Sequence, residues 1–244
     1  MGSEETEEKR LNEVFDNYYY KGLSCTNTKN PINNYDIIGL FNDFMLMRQI
    51  VYFICTNDKN DLPNLKILDA GCGNGRMLRK MCELGAQPSN CYGIDLSRDV
   101  IDYAKRNSPP GIAYDTGDIK GTPFKDNEFD FIFNMGVLIH IKDNDYIREI
   151  AKEFYRVLKP CGLAFITVSG ENVQWNGQMQ NITRNFNFAE NELLNIFDIF
   201  QCVGVNNVYS DNYSTNRNVI LSLVMREIET GAMDTMFKLI VLKK

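Results

Sequence analysis

Residues 66–78 read KILDAGCGNGRML. A short apolar run carrying one acid, Asp69, leads into glycines at every second position, Gly71, Gly73 and Gly75, and a helical pattern follows at once. Glycine takes φ > 0 without steric cost and lets a ligand lie against the backbone. The helix behind the turn offers its first N–H groups to an anion. The dinucleotide fingerprint is GxGxxG, with a pyrophosphate over the helix N-terminus. Here the spacing is GxGxG, and an acid stands two residues ahead of the first glycine. A carboxylate there disfavours a pyrophosphate and suits a ligand that carries an ammonium group.

Outward from this turn the chain alternates strand and helix. KILDA is a strand, residues 76–84 are helical, and CYGID (91–95) is a second strand. SRDVIDYAKRN (97–107) is a helix with Ser97 as its expected N-cap and Asp99 in its first turn. IAYDTGD (112–118), FDFIFNM (129–135) and GLAFITVS (162–169) are three further strands, with a helix over 143–160 before the last. Pro160-Cys161 marks a turn ahead of the fifth strand. Alternation of this kind predicts an α/β protein with a doubly wound parallel sheet. Right-handed crossovers place the C-terminal strand ends on one edge, where ligands bind. Before the sheet, 4–20 reads as a helix, 22–34 as a loop and 36–56 as an amphipathic helix. After it, 189–200 reads as a helix, 202–210 and 235–244 as strands, and 219–229 as either.

Two acids fall at strand ends beside the glycine turn. Asp95 closes the second strand, where a carboxylate accepts both hydroxyls of a ribose. Asp118 follows the third strand, where an acid accepts an adenine amino group while Ile119 lies against the ring. S-adenosylmethionine has an ammonium, a ribose, an adenine and no phosphate, and fits all three positions.

The segments ILDAGCGNG (67–75), YGIDLS (92–97), GDIKGTPFKDNEFDFIF (117–133) and IAKEFYRVLKPCGLAFIT (150–167) follow one another in this chain. In this order they resemble the successive motifs of class I S-adenosylmethionine-dependent methyltransferases, of the kind called type 11. The resemblance implies a Rossmann-like seven-stranded sheet with a reversed last strand, which FKLIVLKK (237–244) suits. It implies a helical N-terminal lid over 1–60 and a methyltransferase domain over 61–244, with 171–235 as a variable acceptor side. S-adenosylmethionine is the implied cofactor and S-adenosylhomocysteine its product. Carried over by position, Asp69, Ala70, Gly71, Cys72, Gly73 and Gly75 surround the methionine portion. Asp95 and Leu96 serve the ribose, and Asp118 and Ile119 the adenine. Asn134 and Met135 reach the cofactor from the end of the fourth strand. Cys72 is expected to fill space beside the ligand rather than act as a nucleophile.

The acceptor is read mainly by exclusion. NMGVLIHI (134–141) lacks the Asn-Pro-Pro-aromatic signature of amino-directed DNA methyltransferases. Pro160-Cys161 is misplaced for cytosine methylation, and no double-glutamate loop of the protein arginine type is present. A formal net charge of -6 makes nucleic acid a poor partner. These observations favour a hydroxyl on a small molecule or a glycan precursor. LMRQIVYFI (46–54), LGAQPSNCYGIDLS (84–97) and IAKEFYRVLKP (150–160) resemble bacterial methyltransferases of surface-polysaccharide gene sets, which implies a sugar or capsule substituent. Methylation of nitrogen, sulfur or carbon on another metabolite stays open, as does a cofactor-binding, non-catalytic partner subunit.

His140 is the only histidine. It falls where the family often sets a histidine near the methyl, and imidazole titrates near neutrality as a general base should; the alternative is a structural residue packed behind the fourth strand. Tyr18, Tyr19 and Tyr20 are lid candidates, and Trp175 and Arg184 are candidates on the acceptor side. The seven cysteines form no CxxC pair, so a reduced, cytoplasmic protein with mostly buried thiols is expected, without a zinc site. The acidic start shows no secretory pattern. No apolar run reaches the roughly 20 residues that span a bilayer.

Overall fold

The computed structural model describes residues 6–14, 37–169, 190–210 and 235–244. Helix α1 is Glu7–Val14 and α2 is Ile37–Thr56. They are followed by β1 (Ile67–Ala70), α3 (Arg76–Glu83), β2 (Cys91–Asp95), α4 (Arg98–Asn107), β3 (Ala113–Thr116) and β4 (Phe129–Met135). Then come α5 (Asn144–Val157), β5 (Leu158–Ser169), α6 (Glu190–Ile196), β6 (Gln201–Ser210) and β7 (Thr235–Lys243). One seven-stranded sheet has the order β3-β2-β1-β4-β5-β7-β6. The first five of these strands are parallel, and β7 runs antiparallel to both β5 and β6. The last strand is therefore the reversed one, as expected.

Alternation along β4 builds two layers. Phe131 and Phe133 enter a core with Leu46, Ile50 and Phe53 of α2 and Met77, Leu78 and Met81 of α3. Phe129 and Ile132 enter the opposite layer with Ile147, Ile150, Phe154 and Val157, the buried stripe of α5. Phe133 stacks on Phe165 of β5 at 5.1 Å between ring centres. Asp43 of α2 is buried and pairs with Arg76 and Lys80, which fastens α2 to the helix behind the glycine turn. Tyr114 of β3 packs beside Gly75 and Gly93, its hydroxyl 2.9 Å from Ser108 Oγ. A Cβ added to Gly93 would stand 2.5 Å from Tyr114 Cδ1, and one added to Gly75 would strike its hydroxyl.

Some local expectations need correction. Ser97 stands at the N-cap position of α4, but its side chain makes no capping bond. Its N–H instead donates to Asp95 Oδ1 at 3.0 Å, so the aspartate orders the turn. Strand β5 starts at Leu158, opposite Phe129, and not at Gly162; the expected turn is an irregularity inside the strand, with Cys161 at φ 60 before pairing resumes at Leu163. The helix expected over 189–200 is described as helical only over Glu190–Ile196. The thiols are not mostly buried: Cys55, Cys161 and Cys202 are exposed. Near the start of β4, buried Asp130 accepts the Lys66 N–H at 3.0 Å and Glu128 pairs with Lys66 at 3.0 Å.

The loop from 120 to 126 hangs on α5. Glu153 accepts the Thr122 N–H at 2.7 Å and its hydroxyl at 2.6 Å, and Arg156 grips Glu153 and Asp126. Burial alone would raise the Glu153 carboxyl, but the bonds from Arg156 and Thr122 outweigh it and hold it below the usual value. Glu153→Ala should lower stability by roughly 2 kcal/mol, since hydrogen bonds to a charged group are each worth about 1.5–3 kcal/mol. Urea unfolding at neutral pH would check this, and an unchanged midpoint would refute it.

Candidate active site

The order of strands reverses between β1 and β4, and the glycine turn leaves β1 at this switch point. A cavity of about 150 Å³, partly open to solvent, lies at that edge. Of the residues expected at the cofactor, Gly71, Gly73, Asp95, Leu96, Asp118, Ile119 and Met135 line it, and so does His140. Asp69, Ala70, Cys72, Gly75 and Asn134 are not on its walls. The glycines of the turn have φ values of 80°, 51° and 77° at 71, 73 and 75, a range that L side chains rarely adopt. Tyr18, Tyr19, Tyr20, Trp175 and Arg184 lie outside the described residues.

The turn does not present a bare anion cradle. Gly71 and Cys72 donate their N–H groups to the Ile94 carbonyl at 2.8 and 3.0 Å. The Gly73 N–H donates to Asp95 Oδ2 at 2.9 Å, and the Gly75 N–H to the Cys72 carbonyl at 2.9 Å. The Arg76 N–H is taken by Asn74 Oδ1 at 3.1 Å. The expectation of free N–H groups is thus corrected at these five positions. The same fact strengthens the case against a pyrophosphate.

Asp95 links the parts. One carboxylate oxygen holds the turn through Gly73, and the other holds the start of α4 through Ser97. Burial pushes its carboxyl up, against the pull of the N–H bonds from Ser97, Gly73 and Leu96. Asp69 is buried beneath the turn, and burial raises its carboxyl to about 7, with Arg76 opposing and Asp95 adding to the rise. Burial first, then Asp69 and Asp95, pushes the Cys72 thiol well up, which disfavours a reactive thiolate. Asn134 is fully buried, and its amide donates to the Ala70 carbonyl at 2.8 Å, fixing the end of β1 to β4. Asp118 accepts the Lys120 N–H at 3.0 Å and the Tyr146 hydroxyl at 2.6 Å.

Sequence reasoning missed Leu11, Val137, Ile141 and Tyr146, which also line the cavity. Leu11 belongs to α1, which is pinned at the rim: Arg10 pairs with Glu7 at 2.7 Å and donates to the His140 carbonyl, and Glu7 accepts the Lys142 N–H at 2.7 Å. Among the described N-terminal residues, α1 reaches the cavity through Leu11, while α2 packs on the sheet. Among the described residues no group of three or more His, Cys, Asp or Glu is placed to hold a metal ion, and no helix is long and apolar enough to cross a membrane.

Residues 68–166 match the family model of the methyltransferase domain. The sheet order with its reversed β7 is the fold expected from the sequence motifs, and this segment lies at its centre. Over 146 residues the chain is 30% identical to the ubiquinone biosynthesis O-methyltransferase of Pelagibacter ubique, covering 59% of this chain and 58% of that protein. It is 30% identical over 162 residues to the malonyl-[acyl-carrier protein] O-methyltransferase of Buchnera aphidicola, covering 65% and 62%. The chain thus spans less than two thirds of these relatives. The magnesium protoporphyrin IX methyltransferase of Synechocystis, a structure with bound S-adenosylmethionine, superposes with a TM-score of 0.62 at 12% identity over the full length of both chains.

Proposed function

We propose that this protein moves a methyl group from S-adenosylmethionine to a hydroxyl oxygen of a small molecule or glycan precursor in the cytoplasm. The observation that carries the reading is the cavity at the β1/β4 switch point. Asp95, Asp118 and His140 are set among apolar walls, and the amides of the glycine turn are satisfied internally. The two relatives that are O-methyltransferases support oxygen as the acceptor atom. The sugar acceptor rests on the sequence resemblance.

The cofactor supplies a methyl group already activated on a sulfonium. Asp95 accepts from the ribose, Asp118 and Ile119 receive the adenine, and Asp69 offers charge to the ammonium from below the turn. Leu11, Val137 and Ile141 supply apolar walls that would exclude water. His140 would take the proton of the acceptor hydroxyl as that oxygen becomes methylated.

Incubation with labelled S-adenosylmethionine and cell extract, fractionated into nucleic acid, protein, lipid and sugar material, tests the acceptor. Label in a small-molecule or sugar fraction supports the proposal. Label in nucleic acid, or cofactor binding with no transfer to any fraction, refutes it.

Asp69 sets a pH dependence. In the ligand-free protein it holds its proton up to about 7, above the ordinary 3.8. Its contribution to stability is therefore full below the ordinary value and is lost as pH rises through about 7. An ammonium above the turn would favour the carboxylate below it, so cofactor affinity should rise by up to about tenfold per unit as pH climbs toward that value. Titration calorimetry from pH 5.5 to 7.5 would show the slope, and Asp69→Asn should flatten it. A slope that survives in the variant would assign it to another group.

A further inference from the structure

Tyr146 stands in the first turn of α5 and is 7% exposed. Its hydroxyl donates to Asp118 Oδ2 at 2.6 Å. Lys120 completes the group, with Nζ 3.6 Å from the same oxygen and 4.3 Å from the centre of the Tyr146 ring. On its other side Tyr146 forms a wall of a second, more open cavity, lined also by Thr6, Glu8, Lys120, Asp143 and Glu149. Among the described residues it is the one side chain that both cavities share.

We infer that Tyr146 sets which base the site accepts: its hydroxyl fixes Asp118 as an acceptor for an exocyclic amine, and its ring limits the size of any group on that amine. The inference rests on the cofactor assignment proposed above. Because the phenol proton is spent on Asp118, the pair turns only lone pairs toward the base. An amino group at the six-position of a purine donates to them, whereas a keto oxygen there meets acceptors and is repelled. Held by Tyr146 and the Lys120 N–H, the carboxylate cannot swing to accommodate the wrong base. Behind the ring the acid-lined second cavity is already open, so shortening residue 146 makes room for a substituent on the amine. A neutral or cationic substituent suits Glu8, Asp143 and Glu149.

Calorimetry with S-adenosylhomocysteine, its inosine counterpart and its N6-benzyl derivative tests this on the whole chain. Tyr146→Phe keeps the ring and removes the bond. It should weaken S-adenosylhomocysteine binding by about tenfold while leaving the inosine compound nearly unchanged. Tyr146→Ala should bind the benzyl derivative at least about tenfold more tightly than the wild type does. The inference is overturned if Tyr146→Phe weakens both bases equally, or if Tyr146→Ala binds S-adenosylhomocysteine and gains nothing for the benzyl compound. If the wild type binds none of the three, the cofactor assignment falls and takes this inference with it.

Discussion

Asp95→Ala should lower affinity for S-adenosylhomocysteine by at least about a hundredfold. Its carboxylate accepts the Gly73 N–H at 2.9 Å and the Ser97 N–H at 3.0 Å, and is proposed to accept the ribose as well. Two bonds to a charged acceptor are worth roughly 3–6 kcal/mol together, and tenfold in affinity corresponds to about 1.4 kcal/mol. The loss acts twice, because the alanine frees the glycine turn from β2 and also removes the acceptor for the sugar. Asp95→Asn keeps one accepting oxygen but turns an amide donor on the other N–H, so it should fall between the two. Calorimetry decides; an alanine variant within about threefold of the wild type would remove Asp95 from the site.

His140→Asn should cut turnover by about 10²–10⁴ on a hydroxyl acceptor while leaving cofactor affinity unchanged, the usual range for losing a general base. His140 is 2% exposed, closes the short turn Leu138–His140 and lines the cavity. Arg10 bonds to its main-chain carbonyl, so the substitution leaves the anchor of α1 in place and isolates the imidazole. Full turnover by the variant with its true acceptor would leave His140 a packing role only. The cleanest assay holds the cofactor saturating and varies the acceptor.

The sheet was legible because its strands end in chemistry. KILDA, CYGID and FDFIFNM are short apolar runs that finish at a turn glycine, an acid or an asparagine, and the periodicity breaks there. Asp95 and Asp118 could be placed on one edge because parallel strands share a direction. Less legible was anything set by contact across the fold. Tyr146 reads as one more aromatic on the buried stripe of α5, and only the folded chain brings its hydroxyl to Asp118, 28 positions away. Leu11 lies in a charged helix, and nothing in EEKRLNEV says that its one central leucine faces a cavity. Ser97 stands at the expected N-cap position of α4, but whether its hydroxyl turns to the helix is set by side-chain rotation, which the sequence does not fix.

Tyr114 gives the site a constraint of a different kind. Its ring fills the space beside Gly93, and its hydroxyl the space beside Gly75, so the identities at 75, 93 and 114 are coupled. Position 93 has an ordinary backbone, but an added Cβ would also stand 2.9 Å from Cys72 Sγ, so a smaller residue at 114 relieves only part of the crowding. Position 75 gains less, because its φ of 77° resists any side chain. Gly93→Ala and Tyr114→Val are therefore each costly alone, one through a clash and the other through a void, and should cancel in part when combined. The route between those two sequences crosses a valley whichever step comes first.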